Sequence, residues 1–329
     1  MSSLGSSARR FGLIAALLFF PVAAAAAPRA ASRLPSLAAG ETLRYRLEYH
    51  STIDSRSKGP IYTPETAHRM SVSLGAVLRL DVLSVKENPK LGCLTRLRVT
   101  YEASTARVHS DAYDPGAAAL AKQYESLRGR SFAFTIDAAG RVLDISGLAK
   151  LAPNESGREA IRQWLRELTL PLGLWQSGLK PGKKWSRLVP LVDAPLEGLA
   201  WRTRSIYLKN ESCPPAPGAP AALARQTCAV IETRMETVRR GKHGNPTPPE
   251  YRSQGLRTSG DWRARGTSLS YVSLATGLVT SSTASEQSAV DLTIMAALSG
   301  SELHYAAQTQ SSSQLTLIGF HLPSPPRAP

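Results

Sequence analysis

The chain has 329 residues, and 40 lysines and arginines against 25 aspartates and glutamates give it a formal net charge of +15. That balance favours anionic partners such as lipid headgroups, cell-wall polymers or nucleic acid, or serves simply for solubility in a crowded envelope. Nucleic acid is the weak member of that group, because only 6% of residues are aromatic and the basic residues are scattered along the chain.

Residues 1–26 have the layout of a secretory signal. Arg9 and Arg10 supply the charged start, Phe11 to Val22 the apolar run, and Ala23 to Ala27 the small residues that a signal peptidase needs. The apolar run is shorter than the roughly 20 residues of a membrane span, so cleavage after Ala26 is expected in place of an anchor. No cysteine follows the alanines, which argues against a lipid anchor. Removing Arg9 and Arg10, with no acid in the same stretch, takes the formal charge from +15 to +13. The expected location is outside the cytoplasm, in the periplasm or the medium. After signal cleavage nothing else is apolar enough to make an integral membrane protein.

The expected organisation is a signal at 1–26, a flexible linker at 27–39, a β-rich domain at 40–320 and a disordered tail at 321–329. That domain is either single or made of two similar halves, 40–170 and 171–320.

The first strand runs from Thr42 to Asp54. Leu43, Tyr45, Leu47 and Tyr49 occupy one face, and Arg44, Arg46, Glu48 and His50 the other. Period-2 alternation of that kind marks a strand with one wet side. His68 to Val85 and Leu94 to His109 alternate in the same way, with a turn at Lys86 to Lys90 between them. The three make an antiparallel meander. A helix opens at Asp114-Pro115, carries Leu120, Ala121, Tyr124 and Leu127 on one stripe, and stops at Gly129. Ser131 to Ser146 is a hairpin turning at Asp137 to Gly140. A second helix opens at Ser156 with Glu159 three residues on, a capping-box pattern. It sets Ala160, Ile161, Trp164, Leu165 and Leu168 on one face and ends at Pro171.

Trp185 begins a strand after the turn at Lys180 to Lys184. Further strands are expected around Trp201 to Leu208, Thr227 to Arg239, Leu256 to Arg265, Leu278 to Leu298 and Leu303 to Ile318. Ser268 to Thr283 reads as a hairpin turning at Ala275 to Gly277. Aligning Gly140 on Gly277 places Phe132 on Leu269, Phe134 on Tyr271 and Val142 on Val279, the pattern of a duplicated β unit. Similar hairpins also look alike without duplication.

The fold class expected is therefore α+β, mainly antiparallel β. Long curved sheets would pack against one or two amphipathic helices. Cys213 and Cys228 flank a Pro/Ala/Gly-rich stretch at the ends of two strand patterns and are expected to form a disulfide. Cys93 is left as a buried free thiol.

No catalytic motif survives inspection, and no cofactor is implied. The six histidines are dispersed, and no Gly-x-Ser-x-Gly elbow occurs. Ser55-Arg56-Ser57-Lys58 has the spacing of a Ser-x-x-Lys pair, in what reads as a Gly/Pro-flanked loop without partner motifs. Asp137, Asp144, Asp193 and Asp261 are carboxylates by type only, and Asp137 is better explained as a turn former. Trp185 and Trp201 read as core residues, Trp164 as part of its helix stripe, and Trp175 and Trp262 have no assigned surroundings.

Gly40-Glu41-Thr42-Leu43-Arg44-Tyr45-Arg46, Leu80-Asp81-Val82-Leu83, Gly129-Arg130-Ser131-Phe132, Gly140-Arg141-Val142-Leu143, the Pro-Gly-x-x-Trp at Pro181 to Trp185 and Ala275-Thr276-Gly277-Leu278-Val279 follow one another in an order that resembles the DUF6263 type, a family of exported bacterial proteins with a domain of unknown function. The resemblance spans most of residues 40–318 and implies export and β architecture. It carries no active residues, and the Cys213 to Cys228 insertion departs from it.

The function expected is non-catalytic binding of an amphiphilic or anionic envelope component such as a lipid, with Trp164, Leu165 and Leu168 as the ligand-contacting residues. The alternative is a structural or interaction protein of the envelope with no small-molecule ligand. A hydrolase assembled from distant strands ranks behind both.

Overall fold

The computed structural model describes residues 37–59, 62–112, 115–138, 140–152, 158, 161, 162, 165, 180–191, 194–215, 226–240, 246–275 and 277–321. The expected signal at 1–26, residues 322–329, Trp164, Leu168, Trp175 and Asp193 lie outside them.

The described residues build one antiparallel sheet of eleven strands. They are β1 (Thr42–Gly59), β2 (Tyr62–Asn88), β3 (Gly92–Ser110), β4 (Ser131–Ile136), β5 (Val142–Ser146), β6 (Lys184–Pro190), β7 (Leu199–Ser212), β8 (Thr227–Arg239), β9 (Leu256–Ser273), β10 (Val279–Ala296) and β11 (Glu302–His321). Their order across the sheet is β5-β4-β3-β2-β1-β11-β10-β9-β8-β7-β6. Five strands before the central connection and six after it each form a meander, and β1 pairs with β11 along the seam.

The strands are long because alternation persists. The 27 residues of β2 would span about 90 Å if straight. Register shifts at Val77/Leu78 and Val82/Ser84 interrupt its ladder with β3 and add local twist.

The expected class holds in its main part, antiparallel β, with one sheet where several were expected. Among the described residues helix is sparse. Helix α1 (Pro115–Glu125) is shorter than the stretch to Gly129, since the chain leaves it by turns and Gly129 takes φ 79°. Its Leu120 and Tyr124 join the main core, and Ser104 Oγ of β3 donates to the Tyr124 carbonyl at 2.7 Å. Helices α2 (Leu148–Leu151) and α3 (Pro249–Arg252) are single turns. Arg158, Ile161, Arg162 and Leu165 are helical, within the second expected helix.

Two local expectations are corrected. Ser55 to Lys58 is not a loop but the end of β1, paired with β11 on one side and β2 on the other. Leu256 to Ser273 is one strand, running through Gly266 where a break had been expected.

The sheet has an inner face, which carries the core, and an outer, wet face. In β1 Leu43, Tyr45 and Tyr49 are buried, while Arg44, Arg46, Glu48 and His50 are exposed. Ion pairs on the outer face, such as Arg44 with Glu102 at 2.6 Å and Arg263 with Asp261 at 2.5 Å, are solvent-exposed and add about 0–1 kcal/mol each. The main core gathers Leu78, Leu80, Leu97, Val99, Phe132, Phe134, Leu315 and Leu317 with α1. Leu37 is already part of it.

Cys213 and Cys228 are joined, with a Cα–Cα distance of 5.0 Å, as expected. The link closes a loop of sequence separation 15 between β7 and β8. A C213S/C228S variant is expected to lose about 3 kcal/mol, measured by urea unfolding against the oxidised protein. Loss of under about 1 kcal/mol would mean that β7 and β8 hold the loop closed without the bridge. Cys93 is free, as expected, but half-buried.

Candidate functional site

Along the inner face the apolar pattern fails at one level on strand after strand. In β10 the inward residues run Val279, then Ser282, Ala284, Glu286 and Ser288, then Val290 and Leu292. In β9 they run Val272, then Ser270, Ser268 and Gly266, then Ala264 and Trp262. In β11, Leu317 and Leu315 give way to Ser313, Ser311 and Thr309 before Ala307. Pairing aligns these breaks into a polar belt. One row reads Ser205, Thr233, Ser268, Ala284, Ser313, Tyr49 across β7-β8-β9-β10-β11-β1. The next reads Thr203, Met235, Gly266, Glu286, Ser311, Ser51.

Apolar groups flank the belt on both sides. The main core lies on one. On the other, Ala194, Leu196, Leu199 and Leu292 pack together, and Trp201, Met235 and Ala264 form a neighbouring cluster. Leu191 and Trp262 pack against both.

Most of the belt is buried, and part of it is satisfied internally. Ser205 Oγ and Thr233 Oγ1 lie 2.8 Å apart, Ser270 and Ser282 Oγ 2.9 Å apart. Elsewhere the belt is left open. Glu286 is 9% exposed, and its Oε2 has no hydrogen-bond partner among the described residues. Ser268 Oγ, in a residue 4% exposed, also has none. Ser51 Oγ approaches Tyr49 without completing a bond of good geometry. Such groups are costly, about 1–3 kcal/mol apiece when nothing meets them.

Burial alone sets the titration of Glu286, pushing its carboxyl up to about 8 from an ordinary 4.5. Among the described residues no cation lies near enough to offset it. Burial likewise pushes Tyr49 up to about 12. Ser51 and Ser311 pull it partly back, and the charge of Glu286 adds to the rise. Glu286 and Tyr49 are therefore both mainly neutral near pH 7.

Of the residues expected to contact ligand, Leu165 is fully buried in the main core, with Ile161 packed against that core. Trp164 and Leu168 lie outside the described residues. Trp185 and Trp201 are buried, in line with a core role. Ser55 and Lys58 sit three apart in a strand, so they point to opposite faces and cannot act as a nucleophile pair. Asp137 closes its turn: Oδ1 accepts from the Arg141 backbone N–H at 2.9 Å and Oδ2 from Arg141 Nε at 2.6 Å. Asp144 accepts from Arg96, and Asp261 pairs with Arg263. His50 meets Ser73 and His304 meets Asp291, both on the outer face. Among the described residues no group of three or more His, Cys, Asp or Glu side chains is placed to hold a metal ion.

Glu286 was not singled out from the sequence. The segment Ser281 to Ser288 is polar at both parities, and only the register with β9 and β11 shows which half faces inward.

An open antiparallel meander with a wet outer face and a belted inner face is the class that fold and site define. No protein-family model matches the chain, and no curated protein does. Among solved structures, lipovitellin, described for its lipid–protein interactions, is similar with a TM-score of 0.44 at 12% identity. The match covers 88% of this chain and 26% of that one, so the chain spans about a quarter of the lipovitellin chain. The outer membrane protein OprG from Pseudomonas aeruginosa gives 0.16 at 8% identity, covering 86% of this chain and 97% of that one. An outer membrane channel from Pseudomonas putida F1 gives 0.19 at 10%, covering 88% and 99%. At these scores none of the three carries an argument about function.

Proposed function

We propose that this is an exported, non-catalytic binding module for an amphiphilic component of the cell envelope, held against the inner face of the sheet. One observation carries the proposal: a belt of buried hydroxyls and one carboxyl, with polar atoms left unmet, runs between two apolar zones. An amphiphile presents the complementary sequence, a polar head beside an apolar chain. A chain of about eight methylenes would bring roughly 6 kcal/mol of transfer free energy, less the cost of ordering it. The exposed charges of the outer face suit water and not lipid tails. Among the described residues no helix is long and apolar enough to cross a membrane. The disulfide is compatible with an oxidising, extracytoplasmic location. The DUF6263 resemblance belongs to this proposal through the turn residues quoted above.

Native mass spectrometry of the mature protein, purified without detergent, tests it. A discrete added mass that extracts into organic solvent as an amphiphile is the expected result. A clean apoprotein mass, unchanged after incubation with envelope lipid extract, would turn the weight to a structural or interaction role.

A further inference from the structure

The chemistry of the belt narrows the head group. Glu286 faces Gly266 on β9 and Ser311 on β11, with Met235 of β8 and Ser51 of β1 one strand further out. Ser268 sits two residues along β9, on the same face. A Cβ at Gly266 would stand 3.1 Å from Met235 Cγ and 3.2 Å from its terminal methyl carbon, so the methionine lies over the glycine beside Glu286. Methionine is unbranched and adaptable, the side chain best suited to yield to an incoming group.

Charge then discriminates between ligands. The inward residues around Glu286 are Thr233 and Met235 on β8, Gly266 and Ser268 on β9, Ser311 and Ser313 on β11, and Ser51 and Tyr49 on β1. Among the described residues there only Tyr49 titrates, and beyond it Tyr124 of α1, which burial holds neutral. An anionic head placed here would be a buried charge with no counter-ion, next to a carboxyl. A neutral head would hydrogen-bond the hydroxyls and the protonated acid but form no ion pair. Only a cationic head can form an ion pair with the ionised acid.

We propose that Glu286 and Ser268 seat the primary ammonium of an amphiphile whose chain lies along the flanking apolar clusters. On binding, the Glu286 carboxyl releases its proton to water. The carboxylate then accepts an N–H from the ammonium, and Ser268 Oγ and Ser51 Oγ accept from the remaining N–H groups. One proton leaves per ligand bound, and no covalent bond changes. The assignment rests on the amphiphile-binding function proposed above. Of the sequence-based expectation, an amphiphilic or anionic component, it keeps the amphiphile and departs from the anionic alternative, which considered net charge and not the inner face.

Isothermal titration of the mature protein with octylammonium, octanol and octanoate, near pH 6.5 in two buffers of different ionisation enthalpy, tests it. Octylammonium is expected to bind at least about tenfold tighter than the other two, with about one proton released per ligand. Glu286→Gln is expected to lose that preference. Equal binding of octanol or octanoate, or no proton release from the unaltered protein, would overturn the ammonium seat and leave amphiphile binding standing. Binding of none of the three would overturn both.

Discussion

Raising the pH from 4.5 to about 8 is expected to cost the folded protein, relative to a Glu286→Gln variant, on the order of 5 kcal/mol of stability. The sign follows from proton counts. Below 4.5 the carboxyl is protonated in both folded and unfolded chains, and no difference arises. Between 4.5 and about 8 the unfolded chain has released a proton that the folded chain keeps, so unfolding is favoured as pH rises. Above about 8 both are ionised, and the gap is constant. The cause is desolvation without a partner: Oε2 meets no donor. Urea unfolding of both proteins at several pH values measures the effect. A gap that stays flat from pH 4.5 to 8 would mean that Glu286 reaches water or a partner in solution.

A second large effect is expected at Gly260. It is the fifth residue of β9, opposite Leu292, with φ 131°, a conformation that side-chain-bearing residues avoid. A Cβ there would stand 2.1 Å from the Asp291 carbonyl oxygen, a backbone atom of the neighbouring strand. Gly260→Ala must therefore displace the ladder itself, and a loss of about 3 kcal/mol or more is expected. Gly255→Ala is the control. Its φ is 69°, but nothing lies within 4 Å of a Cβ, so only the conformational cost of about 1 kcal/mol applies. Equal losses for the two variants, by urea unfolding, would show that β9 and β10 are not in the contact described.

The strand plan was largely legible because apolar and charged residues alternate where one face packs and the other is wet. The segment Leu43 to Tyr49 makes its face assignment unaided, and Thr227 to Arg239 has the same bounds in sequence and structure. Legibility ended where the inner face itself turned polar. Ser55 to Lys58 looked like a loop because no apolar residue marks its buried side, yet pairing with β2 and β11 holds it as strand. The same loss of contrast hid the belt. In Ser281 to Ser288 a serine that faces the core and one that faces water are chemically alike. Their roles are decided by neighbours more than ten residues away in the chain, such as Ser268 and Ser311. The helix stripe at Trp164, Leu165 and Leu168 drew attention because periodicity is loudest where burial is plainly apolar. Of the three, Leu165 alone is described, and it is a core residue.

The seam between β1 and β11 has a consequence for how the chain folds. Thr42 is opposite His321, so residues nearly 280 positions apart meet at the centre of the sheet and not at its rim. Every other pairing joins consecutive strands. If the chain were spliced at the seam and opened between β5 and β6, the same sheet would be an unbroken zigzag of neighbours. As it stands, the first five strands can assemble while the rest is still being made, but β1 must wait with one long side unpaired. That side is an open template for strange strands until β11 arrives. Arg44, Arg46, Arg56 and Lys58 along the exposed face of β1 put like charges in the way of such encounters. The closing step spans the longest loop among the strand pairings described, and it is expected to set the slow, order-dependent end of folding.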